Sequence, residues 1–344
     1  MPQRTEIATL GEFGLIEHLT KQFQNTNAST EKGVGDDAAV LSYPDKKVLV
    51  TTDLLLEGIH FDLVYAPLKH LGYKAAVVNF SDIYAMNGAP KQLTVSLGIS
   101  KRFSVEDIDD FYAGIKLACE HYGVDLVGGD TSASVTGLTI SITCVGEADS
   151  DKVVYRNTAN ENDIICVTGD LGAAYMGLQL LEREKIAFSG QVDFQPDFKG
   201  KDYLLERQLK PEARKEIIEA FAAKNIVPTS MIDISDGLSS DILHICTQSK
   251  KGCRIYEDRL PIDYQTAVMA EELNMNLTTA AMNGGEDYEL LFTVPAASHD
   301  EVVTIEGVKV IGYIAKEDLG CGLITRDGQE FPIKAQGWNI NDAI

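Results

Sequence analysis

Residues 73–87 read YKAAVVNFSDIYAMN. Their apolar positions recur at helical spacing, and Gly88, with Pro90 just beyond, supplies a stop, so the pattern predicts a helix over residues 68–87. Asp82 interrupts that pattern. Its neighbours at i−7, i−4, i+3 and i+4 are Ala75, Val78, Ala85 and Met86, with Asn79 at i−3. The carboxylate therefore sits on the apolar stripe, and no Lys or Arg stands at i±3 or i±4 to neutralise it. A desolvated carboxylate needs a cation, a hydrogen-bond network or a raised pKa. An ordinary hydrogen-bonded Asp is the alternative reading.

Working outward, residues 48–52 form a short β-branched strand that stops at Asp53, and residues 93–99 alternate like a strand. Ser104 with Asp107 resembles a capping box, opening a helix to about Tyr122 that ends at Gly123. Residues 124–127 and 138–145 read as strands around a loop, Gly128-Gly129-Asp130-Thr131. The polar stretch 147–163 is the natural boundary, giving domains 1–148 and 149–344. Beyond it come a buried-type strand at 164–168, a helix over 173–184, a loop or insertion at 187–203 and a helix from Pro211 to about Asn225. A strand at 231–234, a helix from about Gly237 and strands at 289–294, 308–314 and 322–325 follow. The fold class is mixed α/β in two domains, with no fixed-period repeat.

Composition narrows the function. The 344 residues carry 30 Lys+Arg against 52 Asp+Glu, a net charge of −22. Such a chain repels nucleic-acid backbones and anionic membranes, and it binds a phosphorylated small molecule only if cations mediate. No apolar run reaches the roughly 18 residues of a membrane span, and the opening residues show no signal-type apolar core, so a cytoplasmic location is expected. Cys119, Cys144, Cys166, Cys246, Cys253 and Cys321 form no C-x-x-C pair and read as buried free thiols in a reducing compartment.

The other acids each have a modest reading of their own. Asp36 and Asp37 in GDDAAV, Asp53 in TTD, Asp130 in GGDT, and Asp233 and Asp236 in DISDG all serve equally as turn or cap residues. Together they place Asp beside Gly, Ser or Thr at the ends of apolar runs. Hard oxygen ligands of this kind hold Mg²⁺ together with substrate phosphates, and the glycines let backbone N–H groups approach phosphate oxygens. The familiar nucleotide motifs are absent: there is no G-x-x-x-x-G-K-[ST], no strand–GxGxxG–helix, no H-R-D or D-F-G.

GEFGLI, GDDAAV, TTDLLLEGIHF, KAAVVNFSDIYAMNGAP, LVGGDT, DISDGLSSD and NGGEDYELLF occur in this order over nearly the whole chain. Together they resemble the thiamine-monophosphate kinase family, within the superfamily related to aminoimidazole ribonucleotide synthetase. The resemblance implies two α/β domains, the first dimerising through its sheet to give a homodimer, and the second completing the nucleotide and substrate site. It implies phosphorylation of thiamine monophosphate by ATP with several Mg²⁺ ions. By motif, Asp37, Thr51, Thr52, Asp53, Asp82, Asp130, Asp233 and Asp236 match metal-binding positions. Gly129, Asp130, Arg156 and Ser235 match nucleotide contacts, and His60, Glu286 and Trp338 match substrate contacts.

Several of these residues keep rival readings: Arg156 as a solvated charge, His60 as a satisfied loop histidine, Trp338 as packing, Glu286 as part of a turn. Among sister enzymes, a selenophosphate synthetase is expected to carry a reactive cysteine in a Gly-rich amino-terminal segment, whereas the first cysteine here is Cys119. A non-catalytic module that binds Mg²⁺-nucleotide is the alternative from a different class.

Overall fold

The computed structural model describes residues 18–32, 40–188 and 196–335. The chain forms two compact units: one takes residues up to Tyr84 and Gly88–Val153, the other Ala85–Asn87 and everything from Val154 onward.

In the first unit a short pair, β1 (Thr30–Lys32) and β2 (Val40–Leu41), accompanies a four-stranded sheet. That sheet has the order β3 (Lys47–Leu56), β6 (Thr139–Ala148), β4 (Ala89–Ile99), β5 (Asp125–Ala133). β3 pairs antiparallel with β6 along all ten residues, so Asp53 lies in mid-strand rather than at a strand end. The expected loop at 128–131 is likewise strand. β5 runs parallel to β4 through Ala133, with a bulge opposite Leu93/Thr94. Gly129 permits this: a Cβ there would stand 2.0 Å from the Val95 carbonyl oxygen.

Helix α1 (Leu68–Ala85) matches the expected one, and Asn87 at φ 59°, not Gly88, makes the left-handed turn that ends it. The helix is buried on nearly every side rather than along one stripe, and Asn79 and Ser81 are buried with it. It lies against the sheet, since a Cβ at Gly146 of β6 would meet the Ile83 side chain at 2.5 Å. Helix α2 (Val105–Tyr122) opens with the Ser104/Asp107 capping box and closes on Gly123 at φ 72°. The two helices touch backbone to backbone: a Cβ at Gly72 would lie 2.0 Å from Phe111 O, and one at Gly114 would lie 1.9 Å from Lys69 O.

The second unit is built on a seven-stranded sheet, order β13 (Glu330–Pro332), β12 (Cys321–Ile324), β9 (Gly252–Tyr256), β11 (Lys309–Ala315), β7 (Ile164–Val167), β10 (Leu290–Val294), β8 (Ser230–Asp233). Its centre is covered on both faces, which is why β7 and β10 are unbroken apolar runs. Ile165, Val167 and Leu291 join one core with Ile242 and Ile245. Cys166, Phe292 and Val294 join the other with Ile217 and Phe221. Its helices are α3 (Ala173–Phe188), α4 (Asp202–Leu209), α5 (Lys215–Lys224), α6 (Leu238–Ser249), α7 (Tyr264–Glu272) and α8 (Leu277–Asn283), with one further short turn of helix at His299–Val302. α3 runs four residues beyond the expected end, and α4 occupies part of the expected loop. α5 begins four residues after Pro211, because Arg214 leaves the helical conformation (ψ 55°) and its guanidinium binds Glu289. Among the described residues no helix is long and apolar enough to cross a membrane.

The glycine crossing sets a stability test. Gly114→Ala forces α1 and α2 apart at their backbones and is expected to cost about 3 kcal/mol in urea denaturation. Gly123→Ala meets open space, strains only its left-handed φ, and is expected to cost about 1 kcal/mol.

Candidate active site

Strand alternation divides the acids of the first unit. Thr51 and Asp53 face α1, and the Thr51 hydroxyl donates to the half-buried Asp82 carboxylate. Burial first, and then the Asp82 charge, push the Asp53 carboxyl up to about 6. No cation of the described residues offsets either effect.

Asp125 shows what a purely structural acid looks like in the same unit. Burial would raise its carboxyl, but donors from Thr26, Thr30 and Asn27, at 2.7–3.0 Å, hold it below the usual range. Asp53 has the like charge without the donors. A carboxylate pair in that state suits a divalent cation.

The other expected ligands of this unit lie elsewhere. Thr52 is on the opposite face of β3, where its hydroxyl donates to Ile142 O at 3.0 Å. Gly129 and Asp130 are exposed on β5, the far edge strand, with Asp130 in register with Ser96. Three strand spacings, about 14 Å, separate the two edges. Asp37 lies outside the described residues. His60 is exposed in the turn after β3, and its Nδ1 accepts the Leu56 N–H at 3.0 Å. That bond leaves Nε2 as the outward-facing donor of the neutral ring.

In the second unit Asp233 ends β8, and Ser235 and Asp236 form the turn into α6. Asp236 does not cap that helix: Gly237, at φ 103°, holds the N-cap position without a side-chain bond. The acid that sequence reasoning missed is Asp241, in the first turn of α6. It is buried, one of its carboxylate oxygens (Oδ2) has no hydrogen-bond partner, and the Asp236 N–H supports the group. Burial, then Asp233 and Asp236, push its carboxyl up to about 8, against a partial offset from Arg156. The signal was available. Asp241 stands three residues after Leu238 and four before Ile245, on an apolar stripe, as Asp82 does. Arg156 is exposed, and its own carbonyl is held by Ser230 Oγ at 2.8 Å.

Glu286 is joined to this turn by its backbone, its N–H donating to Ser235 O at 2.8 Å. It holds a left-handed φ of 66°, as does Tyr288 at 52°, while Gln208 Nε2 donates to its carboxylate at 2.8 Å. A buried ion network fixes the strained loop from behind. Arg207 reaches Glu289 at 2.9 Å and Asp287 at 3.8 Å, Arg214 also binds Glu289, and Asp287 accepts the Gly172 N–H at 2.8 Å. Burial would raise Glu289, but Arg214 and Arg207 hold it below the usual range; at Asp287 burial wins and raises the carboxyl to about 7. Trp338 lies outside the described residues.

Among the described residues no three acidic or histidine side chains bring ligand atoms within 4.8 Å of one another; only three cysteines do. The acids come in pairs and neighbours instead. Mg²⁺ is typically held in that way, by one or two carboxylates with water and substrate phosphates completing its shell. The unpartnered Asp241 oxygen and the uncompensated Asp53 both fit such an ion.

The two units define an AIR synthase related protein. The family model for the N-terminal domain of such proteins matches residues 35–148, and that for the C-terminal domain matches residues 160–321. The thiamine-monophosphate kinase of Aquifex aeolicus is 37% identical over 286 residues, 83% of this chain and 86% of that one. That of Bacillus subtilis is 30% identical over 339 residues, 96% and 99% of the two chains. A solved structure described as AaThiL complexed with AMPPCP and TMP has a TM-score of 0.74 at 33% identity, covering 97% of this chain and 98% of its own. The chain belongs to the thiamine-monophosphate kinase family.

The Asp53 environment has a pH consequence. Its folded pKa of about 6 exceeds the unfolded value of 3.8, so ionisation opposes folding; the cost is full above about pH 6 and disappears as the pH falls towards 4. Without divalent cations, Asp53→Asn is expected to be more stable than the parent at neutral pH, by on the order of 1–2 kcal/mol after allowing for partial exposure, with the difference closing near pH 4. Added Mg²⁺ should raise the urea midpoint of the parent and leave that of the variant.

Proposed function

We propose that this chain is a thiamine-phosphate kinase, transferring the γ-phosphoryl group of ATP to the phosphate of thiamine monophosphate to give ADP and thiamine diphosphate. The observation that carries the reading is the Asp53 carboxyl, raised by burial and by the Asp82 charge, in a chain whose relatives bear that activity in their name and one of which was solved with AMPPCP and TMP. In this reading residues 1–148 form the ATP- and metal-binding, dimerising half, and residues 149–344 complete the nucleotide and substrate site.

The acceptor is a phosphate monoester whose second pKa lies near 6, so its oxygen is ionised at neutral pH and needs no general base. Attack is in line on the γ-phosphorus. The obstacle is repulsion between two anions in a chain of net charge −22. Bound Mg²⁺ supplies the neutralisation and stabilises charge on the transferring group. Asp53 and Asp82, oriented by Thr51, would hold it in the first unit, with Asp37 as a further ligand; Asp233, Asp236 and Asp241 would hold it in the second. Gly129, with no side chain in the way, offers backbone N–H to phosphate oxygens beside Asp130. Arg156 and Ser235 bind the polyphosphate. His60 presents its Nε2–H to the acceptor, and Glu286, held by Gln208, faces the thiamine cation with Trp338 as stacking partner. The side chain of Thr52 is turned to the opposite face and is assigned no direct contact.

The homodimer is part of this proposal. β3 is an edge strand, and Val48, Val50 and Leu54 leave its outer face 49, 66 and 55% exposed. A ten-residue edge strand with these three apolar side chains exposed invites cover by a second copy of the same surface. The lack of disulfides and the five buried thiols fit a reducing, cytoplasmic compartment.

The deciding assay measures ADP release with thiamine monophosphate, with thiamine, and with neither. Release and thiamine diphosphate formation are expected with the monophosphate alone and only with Mg²⁺. Asp82→Asn should lower kcat by about 10²–10³ while keeping the fold, and His60→Ala should mainly raise KM for the acceptor. Near-parental turnover of Asp82→Asn at limiting Mg²⁺ would refute the metal assignment. For the assembly, Val50→Lys is expected to convert the sedimenting species from dimer to monomer; a parent that sediments as a monomer excludes the homodimer.

A further inference from the structure

Half of the cysteines converge at one point of the second unit. Cys246 on α6, Cys253 on β9 and Cys321 on β12 bring their sulfur atoms within 4.8 Å of one another. Strand register accounts for two of them. β9 and β12 pair in parallel with Cys321 opposite Cys253, so both side chains leave the sheet on one face. α6 contributes Cys246 to the same core, whose other members, among them Ile242, Ile245, Ile255 and Ile314, are aliphatic apart from Met282.

Aliphatic side chains would fill this space equally well; the three positions carry thiols instead. Cys246 and Cys253 are buried and Cys321 is half-buried, so one sulfur of the trio meets solvent. Hydrogen bonds from the Cys246 and Cys253 thiols, with the nearby Arg254 charge, draw the Cys321 thiol below its ordinary range. Arg254 also fixes the backbone behind the pair: its guanidinium donates to Cys253 O at 2.8 Å, Gly320 O at 2.9 Å and Leu319 O at 3.0 Å.

We propose that Cys246, Cys253 and Cys321 form a three-thiolate site for one soft closed-shell cation, Cu(I) or Zn²⁺. With metal–sulfur bonds of about 2.3 Å, a planar set of three sulfurs needs edges of about 4.0 Å, within reach of these side chains by small χ1 adjustments. Thiolates select soft ions over Mg²⁺. The trio as it stands matches three-coordinate Cu(I); Zn²⁺ takes a fourth ligand, which water supplies on the open side of Cys321. Binding displaces up to three thiol protons into solvent and moves no electrons.

The test titrates the reduced, metal-free full chain with Cu(I) and, separately, with Zn²⁺, each against a chromogenic competitor. One equivalent per chain is expected in at least one arm, with X-ray absorption at the metal edge reporting three sulfur neighbours at about 2.3 Å. Cys321→Ser and Cys253→Ala should each weaken binding at least about tenfold with an unchanged circular dichroism spectrum, whereas Cys166→Ala, buried outside the trio, should leave it unchanged. Retention of neither ion, retention indifferent to Cys321→Ser, or formation of a Cys253–Cys321 disulfide in place of metal uptake would each overturn the site.

Discussion

Asp53 and Asp82 repel each other where strand β3 meets helix α1, and the fold keeps them there. Ten residues of pairing with β6 fix the height of Asp53 on the sheet. The backbone contact of α1 with α2, through Gly72 and Gly114, fixes the rotation of the helix that carries Asp82. The first unit thus holds an unfavourable charge arrangement that acid relieves and that a divalent cation would relieve. Stability surrendered at a site in this way is the usual cost of holding a ligand in a defined geometry.

Buried acids in this chain fall into two kinds, and compensation separates them. Asp125 is surrounded by four donors, and Glu289 by two guanidinium groups and the Thr168 hydroxyl; both are held below the usual carboxylate range. These groups tie segments together and have no capacity left for a ligand. Asp53 and Asp241 are pushed upward, by burial first and then by acidic neighbours, with only a partial offset from Arg156 at Asp241. Asp287 is intermediate, raised by burial yet bound to Arg207 and a helix N-terminus, and its task is to anchor the strained loop that presents Glu286.

Much of this was legible in the sequence, for identifiable reasons. Helical periodicity with no nearby base exposed Asp82, and the capping box and Gly123 gave both ends of α2. Asp241 satisfies the same criterion as Asp82, but it stands beside the DISDG string, whose Asp233 and Asp236 carry the more conspicuous turn-and-ligand pattern. Gly128-Gly129 looked like a turn because glycines usually mark one; here Gly129 allows close strand contact, a tertiary constraint that no local pattern reports. The alternation of β3 could have separated Thr51 and Asp53 from Thr52 in advance, had the strand not been ended at Asp53. The cysteine trio was beyond reach, since it depends on a parallel pairing of β9 with β12 between residues 68 positions apart (253 to 321).

The cysteines and the carboxylates answer one question in opposite ways. A strongly acidic chain offers hard oxygen atoms wherever they are placed, so selectivity for a metal must come from geometry. Around Asp53 and Asp241 the ligands are few and incomplete, which suits an ion that keeps its water and shares itself with a substrate phosphate. In the core under α6 the ligands are soft, mutually close and nearly dry, which suits an ion that gives up its water and stays. Divalent Mg²⁺ has no reason to enter the second environment, and a thiophilic ion gains little from the first. The two environments therefore favour different cations.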